Sequence, residues 1–522
     1  MTDLNETFEQ CIKCSICQSV CPVAAHDAGF PGPKILGPDL ARLQAAGDAG
    51  KARTAELLPL LGMCSNCLRC ETACPFDIPV AQLIRRAEQS FRESSSTGSF
   101  FKGVFRRLRD KMLAHPEKLG RIGAALAPLA NKLMGSSAVQ KLLSRVLGLE
   151  MEQPLNFASR SQQRRLILEL GNSDNQRIAQ PPEISSGSEL SRASRAPSTE
   201  LAGPVISPGS EQDSSDIQQA DKRTEAKSFE VCLGGSDKNN HEDSAENTPR
   251  YYADHRVENR PGDGIKNMAD KTACTPDVNH LRADNKVLYF TGCHVNFYQP
   301  EIGTAFLQLL KKLGIKPVIY NSHCCGIPLL ANGDRTGAHR AFLRNIQLLK
   351  PYVDQGYQLV CTCPTCSLAL KKFYAEELET KVAEQLAAAT YDYAEYLENY
   401  ICELKGLIHP VEDSFIFHLP CHTQAQGVSA ANLNLLRLIP GLKLGIVDKC
   451  CGQSGTYGYK TEKREVSRGI SASLARQIKE QSNELDTKTV LTPCSSCGYR
   501  ITLECGVRAE HPLLLIWEAA VK

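Results

Sequence analysis

Cys11-Ile-Lys-Cys14-Ser-Ile-Cys17-Gln-Ser-Val-Cys21-Pro22 and Cys64-Ser-Asn-Cys67-Leu-Arg-Cys70-Glu-Thr-Ala-Cys74-Pro75 are two copies of one pattern. Each has three cysteines at intervals of three, then a fourth four residues on, followed by proline. That is the spacing with which paired [4Fe-4S] cubanes are held: each loop gives three thiolates to one cubane and its distal cysteine to the other. It assigns Cys11, Cys14, Cys17 and Cys74 to one cluster, and Cys64, Cys67, Cys70 and Cys21 to its neighbour. Because each run lends a ligand to both, the two centres must lie close together. Zinc also takes Cys-x-x-Cys pairs, but a zinc site gives no reason for a three-cysteine run, a distal fourth and a proline, all repeated.

Around these runs, the 522-residue chain is too long for one ordinary core, which favours several domains and linkers. Lys+Arg total 60 against 58 Asp+Glu, so net charge gives no reason to expect nucleic acid as a partner. Most of the 23 cysteines fall in short recurring clusters. The polar opening MTDLNETFEQ has neither the basic nor the apolar region of a secretory signal, which predicts a reducing compartment where clustered cysteines serve metals or redox chemistry. The most apolar candidate for a membrane span, Ile122 to Met134, is short and contains Lys132, so no membrane crossing is expected.

Residues 1–95 read as an α-helical two-cluster domain of ferredoxin type, with a helix over Val80 to Phe91. Residues 96–161 read as a basic helical linker carrying Lys102, Arg106, Arg107, Arg109, Lys111, Lys118, Arg121, Lys132, Lys141 and Arg145, with Val104, Phe105, Leu108 and Met112 at helical spacing. Such a segment suits an anionic membrane, docking on a partner or a solvated helical face. Residues 162–284 are Ser-, Pro- and charge-rich and read as a disordered insert, whose Cys232 and Cys274 have no neighbouring cysteines.

An internal repeat follows. Val287 to Thr291 reads as a strand leading to Cys293, then a helix through Ile302, Phe306, Leu309, Leu310 and Leu313 that Gly314 can end, then a strand over Pro317 to Tyr320 leading to Cys324-Cys325-Gly326. Phe415 to Leu419 leads likewise to Cys421, a helix ends near Leu438, and Leu444 to Val447 leads to Cys450-Cys451-Gly452. Matching cysteines recur at offsets of 128 (Cys293 to Cys421), 126 (Cys324 to Cys450) and 131 residues (Cys363 to Cys494, Cys366 to Cys497). Two copies of one α/β module, 285–405 and 406–522, make the whole chain α+β. Each module offers five cysteines: Cys293, Cys324, Cys325, Cys363 and Cys366, then Cys421, Cys450, Cys451, Cys494 and Cys497. Their spacing alone leaves a cluster, zinc or a disulfide switch open. Cys361, Cys402 and Cys505 lack counterparts and read as buried or surface thiols; His294 and His422, each after a leading cysteine, suit either a hydrogen bond to a cluster sulfur or ordinary packing. There is no Gly-x-Gly-x-x-Gly after a strand and no Walker loop, so flavin, nicotinamide and nucleotide binding are not expected, and substrate oxidation belongs to another subunit.

The modules resemble the cysteine-rich CCG domains of heterodisulfide reductase subunits and glycolate oxidase iron-sulfur subunits. CIKCSICQSVCPV, GFPGPKILGPDLARL, TGCHVNFYQPEIG, CCGIPLLANGD, LPCHTQAQG, CCGQSGTYGYK and ECGVRAEHPLLL more closely resemble the C subunits of anaerobic glycerol-3-phosphate dehydrogenases, over nearly the whole chain except the insert. The resemblance implies one or two further noncubane [4Fe-4S] clusters on the module cysteines. It also implies an electron-transfer subunit with no catalytic residue, relaying electrons from a flavin-containing dehydrogenase partner to membrane quinone. The chain would then be cytoplasmic and peripheral on the inner membrane. Two rivals share the family, a glycolate or lactate oxidase iron-sulfur subunit and a heterodisulfide-reductase-like catalytic subunit. A third, a zinc-shaped scaffold, does not.

Overall fold

The computed structural model describes residues 8–94, 100–149, 156–159, 161–162, 286–320 and 323–521. Apart from Gln162, the insert expected over 162–284 lies outside the described residues, as do Cys232 and Cys274.

Each repeat is a four-stranded parallel sheet. In module 1, β1 (Val287–Phe290), β2 (Val318–Tyr320), β3 (Gln358–Cys361) and β4 (Thr390–Asp392) lie in the order β2-β1-β3-β4, with Leu288 opposite Val318 and Leu359. In module 2, β5 (Ser414–His418), β6 (Lys443–Val447), β7 (Thr489–Leu491) and β8 (Arg508–Glu510) repeat it as β6-β5-β7-β8. Val-Leu-Tyr-Phe of β1 is buried at every position, as a parallel strand covered on both faces requires. The strand order reverses at β1/β3 and at β5/β7. Such a switch point opens a crevice beyond the carboxyl ends of the strands, and the module cysteines follow those ends: Cys293 after β1, Cys324 after β2, Cys363 after β3.

The helix expected after β1 spans Pro300–Lys312. Gly314 ends it at φ +74°, its N–H and that of Ile315 returning to the carbonyls of Lys311 and Leu310. The modules pack helix against helix. Pro300–Lys312 packs on the terminal helix Pro512–Val521, and Tyr393–Glu398 packs on Ser429–Arg437, around a shared core that includes Phe306, Tyr396, Leu436 and Ile516. Tyr393 donates to Asn432 Oδ1 at 2.6 Å across this seam.

The first domain is a set of short helices and turns ending in Val80–Ser94, three residues longer than expected. Its small core, Leu36, Leu40, Leu61, Ile78 and Ile84, is continuous with Phe342 and Tyr374 of module 1. Ion pairs fasten it there: Glu71 to Lys372 at 2.5 Å and Arg85 to Glu376 at 2.7 Å, with Arg85 also over the Phe373 ring.

The basic segment forms four helices, Phe100–Ala114, Pro116–Ala125, Ala127–Met134 and Ser137–Leu147. Arg109 differs from the other basic residues of this segment. It is 1% exposed, pairs with both carboxylate oxygens of Glu462 at 2.7 Å and with Asp110, and ties the first helix to module 2. Arg106, Arg107, Lys111, Lys118, Arg121, Lys132, Lys141 and Arg145 remain at least partly exposed. No helix among the described residues is long and apolar enough to cross a membrane.

Candidate iron-sulfur centres

A pocket partly open to solvent is lined by Cys11, Cys14, Cys17 and Cys74. A second is lined by Cys21, Cys64, Cys67 and Cys70. These are the two quartets that the spacing puts together, each completed by the distal cysteine of the other run. The loops bend at matching places: Lys13 and Ser15 flank Cys14, and Asn66 and Leu68 flank Cys67, all four with left-handed backbone at φ +52° to +67°. None is glycine, so each turn costs on the order of 1 kcal/mol or more. In the second loop the Asn66 amide points at the Cys64 sulfur, 3.4 Å away.

Burial, reinforced by the Cys11, Cys74 and Cys14 thiols, pushes the Cys17 thiol up to about 11; burial pushes Cys64 up to about 12. Unaided, these groups would stay protonated. Cationic iron supplies the charge that makes four neighbouring thiolates tolerable, and its binding releases their protons. Soft donors, a cavity between them and strained loops aimed inward all fit a cubane.

Each module quintet also comes together. In module 1, neighbouring thiols run Cys293–Cys324–Cys325–Cys366–Cys363. In module 2 they run Cys421–Cys450–Cys451–Cys497–Cys494, with the Cys451 and Cys497 sulfurs 3.2 Å apart. No disulfide joins any of the described cysteines. The glycine after each adjacent pair is required twice over. Gly326 and Gly452 have φ +88° and +74°, and a Cβ would lie 2.5 Å from the Phe342 ring or 2.3 Å from the Ser467 carbonyl oxygen.

The two quintets have different surroundings. Around module 1, buried Asn345 donates to the Cys324 carbonyl at 3.1 Å and to Tyr374 at 2.9 Å, and Tyr374 donates to the Cys325 carbonyl at 3.1 Å. Glu117, from the basic segment, accepts the Cys324 N–H at 2.9 Å; burial would raise its carboxyl, but hydrogen bonds from His323 and Cys324 hold it at about 2. Around module 2, Arg69 lies beside Cys421 and pairs with Asp448 at 2.5 Å, while His418 donates to the Lys449 carbonyl at 3.0 Å. Cys67 of the second quartet neighbours Cys421.

His294 binds Gln299 at 2.7 Å and stacks on Tyr298, whereas His422 meets Thr365 of the other module at 2.9 Å; burial lowers both imidazoles. Cys361 is buried in β3, Cys402 is exposed and Cys505 half-buried. Arg69, Asp448 and Glu117 were not singled out from the sequence. The only signal lay in the runs themselves, since Arg69 stands where the first run has Ile16.

The 4Fe-4S dicluster domain family matches residues 7–78, and the cysteine-rich CCG domain family matches 287–371 and 415–502. The C subunit of the anaerobic glycerol-3-phosphate dehydrogenase of Escherichia coli K12 is 26% identical over 99% of this chain and all of that protein. The B subunit of the CoM/CoB fumarate reductase of Methanothermobacter marburgensis is 30% identical over 42% of each chain. Lactate utilization protein A of Geobacillus kaustophilus is 29% identical over 34% of this chain and 75% of that protein. The chain is therefore an iron-sulfur electron-transfer protein, built from a [4Fe-4S] dicluster domain and two CCG domains.

Proposed function

We propose that this chain relays electrons from a flavin-containing dehydrogenase partner, which oxidises glycerol 3-phosphate, to quinone at the cytoplasmic face of the inner membrane. The observation that carries the reading is that the second quartet meets module 2, Arg69 between Cys67 and Cys70 pairing at 2.5 Å with Asp448 beside Cys450, so the cysteine sets can serve as one line. Cys11, Cys14, Cys17 and Cys74 hold the first cubane, and Cys21, Cys64, Cys67 and Cys70 the second. The module quintets hold noncubane clusters. Clusters of this kind accept and release one electron at a time; the thiolates grip iron and set its potential.

The outer end of the line is the first quartet. Cys14 is exposed there, beside exposed Ile12, Ile16 and Phe76, an apolar rim suited to a redox partner. At the other end, the helix Pro116–Ala125 covers the Gly292–Phe297 helix that carries Cys293, and Tyr298 donates to the Pro116 carbonyl. Ile122, Leu126, Leu129 and Leu133 are exposed along Pro116–Ala125 and Ala127–Met134, as are Leu142 and Val146 on Ser137–Leu147, among exposed lysines and arginines. Such a surface suits the interface of an anionic bilayer, next to where quinone resides.

Anaerobically purified protein should contain iron and sulfide beyond two cubanes, pull down a flavoprotein from its own host, and bind anionic vesicles in a salt-sensitive way. A total no larger than two cubanes leaves the modules empty and defeats the relay. The complete quintets in both modules favour one second reading, a heterodisulfide-reductase-like subunit that cleaves a disulfide. Disulfide-dependent turnover by the isolated chain would establish that instead.

A further inference from the structure

The two cysteine runs differ at the residue before the third cysteine, and in the second run that residue faces module 2. Between the second and third cysteines the first run has Ser15-Ile16, and Ile16 is exposed at the rim of the first quartet. The second run has Leu68-Arg69, with Leu68 buried and the Arg69 side chain largely withdrawn from solvent. The guanidinium crosses to module 2, where it lies near Cys421 and Cys450 and pairs with Asp448 at 2.5 Å. Asp448 follows β6, two residues before Cys450, and is itself held by Gln424 Nε2 at 2.8 Å; Gln424 also donates to the Leu419 carbonyl at 2.9 Å. A fixed fork thus joins the loop of Cys67 and Cys70 to the turn of Cys450 and Cys451. Module 1 offers a carboxylate, Glu117, on the Cys324 amide.

Reduction of a cluster adds negative charge, so its potential follows net charge and hydrogen bonds to sulfur. Arginine is a permanent cation with a rigid donor fork. We propose that Arg69 is the positioning residue of an electron junction: it holds Cys67 against Cys421 and raises the potential at the module 2 quintet above that at module 1, so that electrons leaving the second quartet arrive at module 2 first. This rests on the relay reading above. One electron leaves the site of Cys21, Cys64, Cys67 and Cys70 and arrives at the site of Cys421, Cys450, Cys451, Cys494 and Cys497, with no bond made or broken. Its ultimate donor is the flavin dehydrogenase.

The test is a potentiometric titration of the full-length, cluster-loaded chain, followed by EPR, in wild type, Arg69→Met, Arg69→Lys and Asp448→Asn. Signals are assigned to modules 1 and 2 by their loss in Cys293→Ser and Cys421→Ser. Arg69→Met should lower the module 2 midpoint by at least about tenfold in the reduction equilibrium, 59 mV for one electron, leaving module 1 and the first quartet in place. Arg69→Lys, which keeps the charge, should recover part of the shift. Asp448→Asn removes an anion while leaving both cysteine runs intact, so it should move the same midpoint upward. Opposite signs from the two partners would not follow from a merely structural role. If Arg69→Met loses iron, the Asp448→Asn and Arg69→Lys titrations decide the matter. An unchanged module 2 midpoint in these variants, or a shift confined to module 1, overturns the proposal. A wild-type chain with no signal beyond two cubanes overturns the relay reading itself, and the junction with it.

Discussion

Module 1 and module 2 share strand order, five cysteines and the glycine after the adjacent pair, yet the charged group that reaches one centre is a carboxylate, Glu117 on the Cys324 amide, and the one that reaches the other is an arginine, Arg69 on Asp448. Asn345 and Tyr374 fix the module 1 turn through uncharged hydrogen bonds, and the first domain reaches that module through ion pairs away from its quintet, at Lys372 and Glu376. In module 2, Arg69 and Asp448 stand at the quintet, and a buried arginine, Arg500, grips Gln453, Ser467 and Glu504 behind it. A repeated scaffold therefore fixes where iron sits, while residues outside the repeat give the two centres different roles.

The comparison breaks most visibly at the cysteines themselves. Cys421→Ala should cut electron delivery to quinone by more than the roughly 10–100-fold typical of losing a supporting partner, while both cubane EPR signals persist. Cys293→Ala should also stop quinone reduction, but leave the module 2 centre reducible by dithionite at its normal rate. Equal loss of both module signals in either variant would show that the two centres are not separate stations.

Stability should follow the same division. Arg500→Met leaves Glu504 and Gln453 without their buried cation and should cost about 3 kcal/mol. Asn345→Ala removes neutral partners and should cost about 2 kcal/mol. Chemical denaturation of the loaded protein would measure both, and a larger loss for Asn345→Ala would contradict the assignment.

Opposite pH slopes come next. At the end of its fourth strand module 1 has Asp392, whose carboxyl burial raises to about 7; just beyond β8, module 2 has His511, whose imidazole burial lowers to about 3 although it donates to the Thr362 carbonyl at 3.0 Å. Folding keeps both neutral. Asp392 therefore favours the folded state at low pH, an advantage lost as pH rises from about 4 to 7. The His511 contribution is present above its unfolded pKa of 6.5 and lost as pH falls toward 3. Between pH 5 and 7.5, Asp392→Asn should gain stability relative to wild type at the upper end and His511→Gln at the lower, each on the order of 2 kcal/mol. Parallel slopes in thermal melts would refute this.

The smallest effect on folding should come from the helices over module 1. Leu126→Ser with Leu129→Ser alters exposed positions and should change stability by less than about 0.5 kcal/mol, yet weaken binding to anionic vesicles several-fold in a flotation assay. Unaltered flotation would remove the membrane from the account.

Much of this was legible in sequence because it was local or periodic. The two runs, the matching cysteine offsets, the strands before Cys293 and Cys421 and the stop at Gly314 all lie within short windows. The fourth strands were not legible: Thr390-Tyr391-Asp392 and Arg508-Ala509-Glu510 carry no apolar pattern and are strands only because β3 and β7 present open edges. Nor were the left-handed turns at Lys13, Ser15, Asn66 and Leu68, since no glycine marks them. Arg69 and Asp448 are 379 residues apart, and Glu117 meets Cys324 across 207, so only folding brings these charges to the centres. The pairing of Arg109 with Glu462 was hidden for the same reason.

The central claim is that electrons pass from the second quartet into module 2 before module 1. Rapid-freeze EPR of the oxidised, fully loaded chain, mixed with less than one equivalent of dithionite, tests it most directly. We expect the signal lost in Cys421→Ser to rise and then decline as the signal lost in Cys293→Ser appears. Appearance of the Cys293-dependent signal first, or at an undiminished rate in the Cys421→Ser chain, would contradict it.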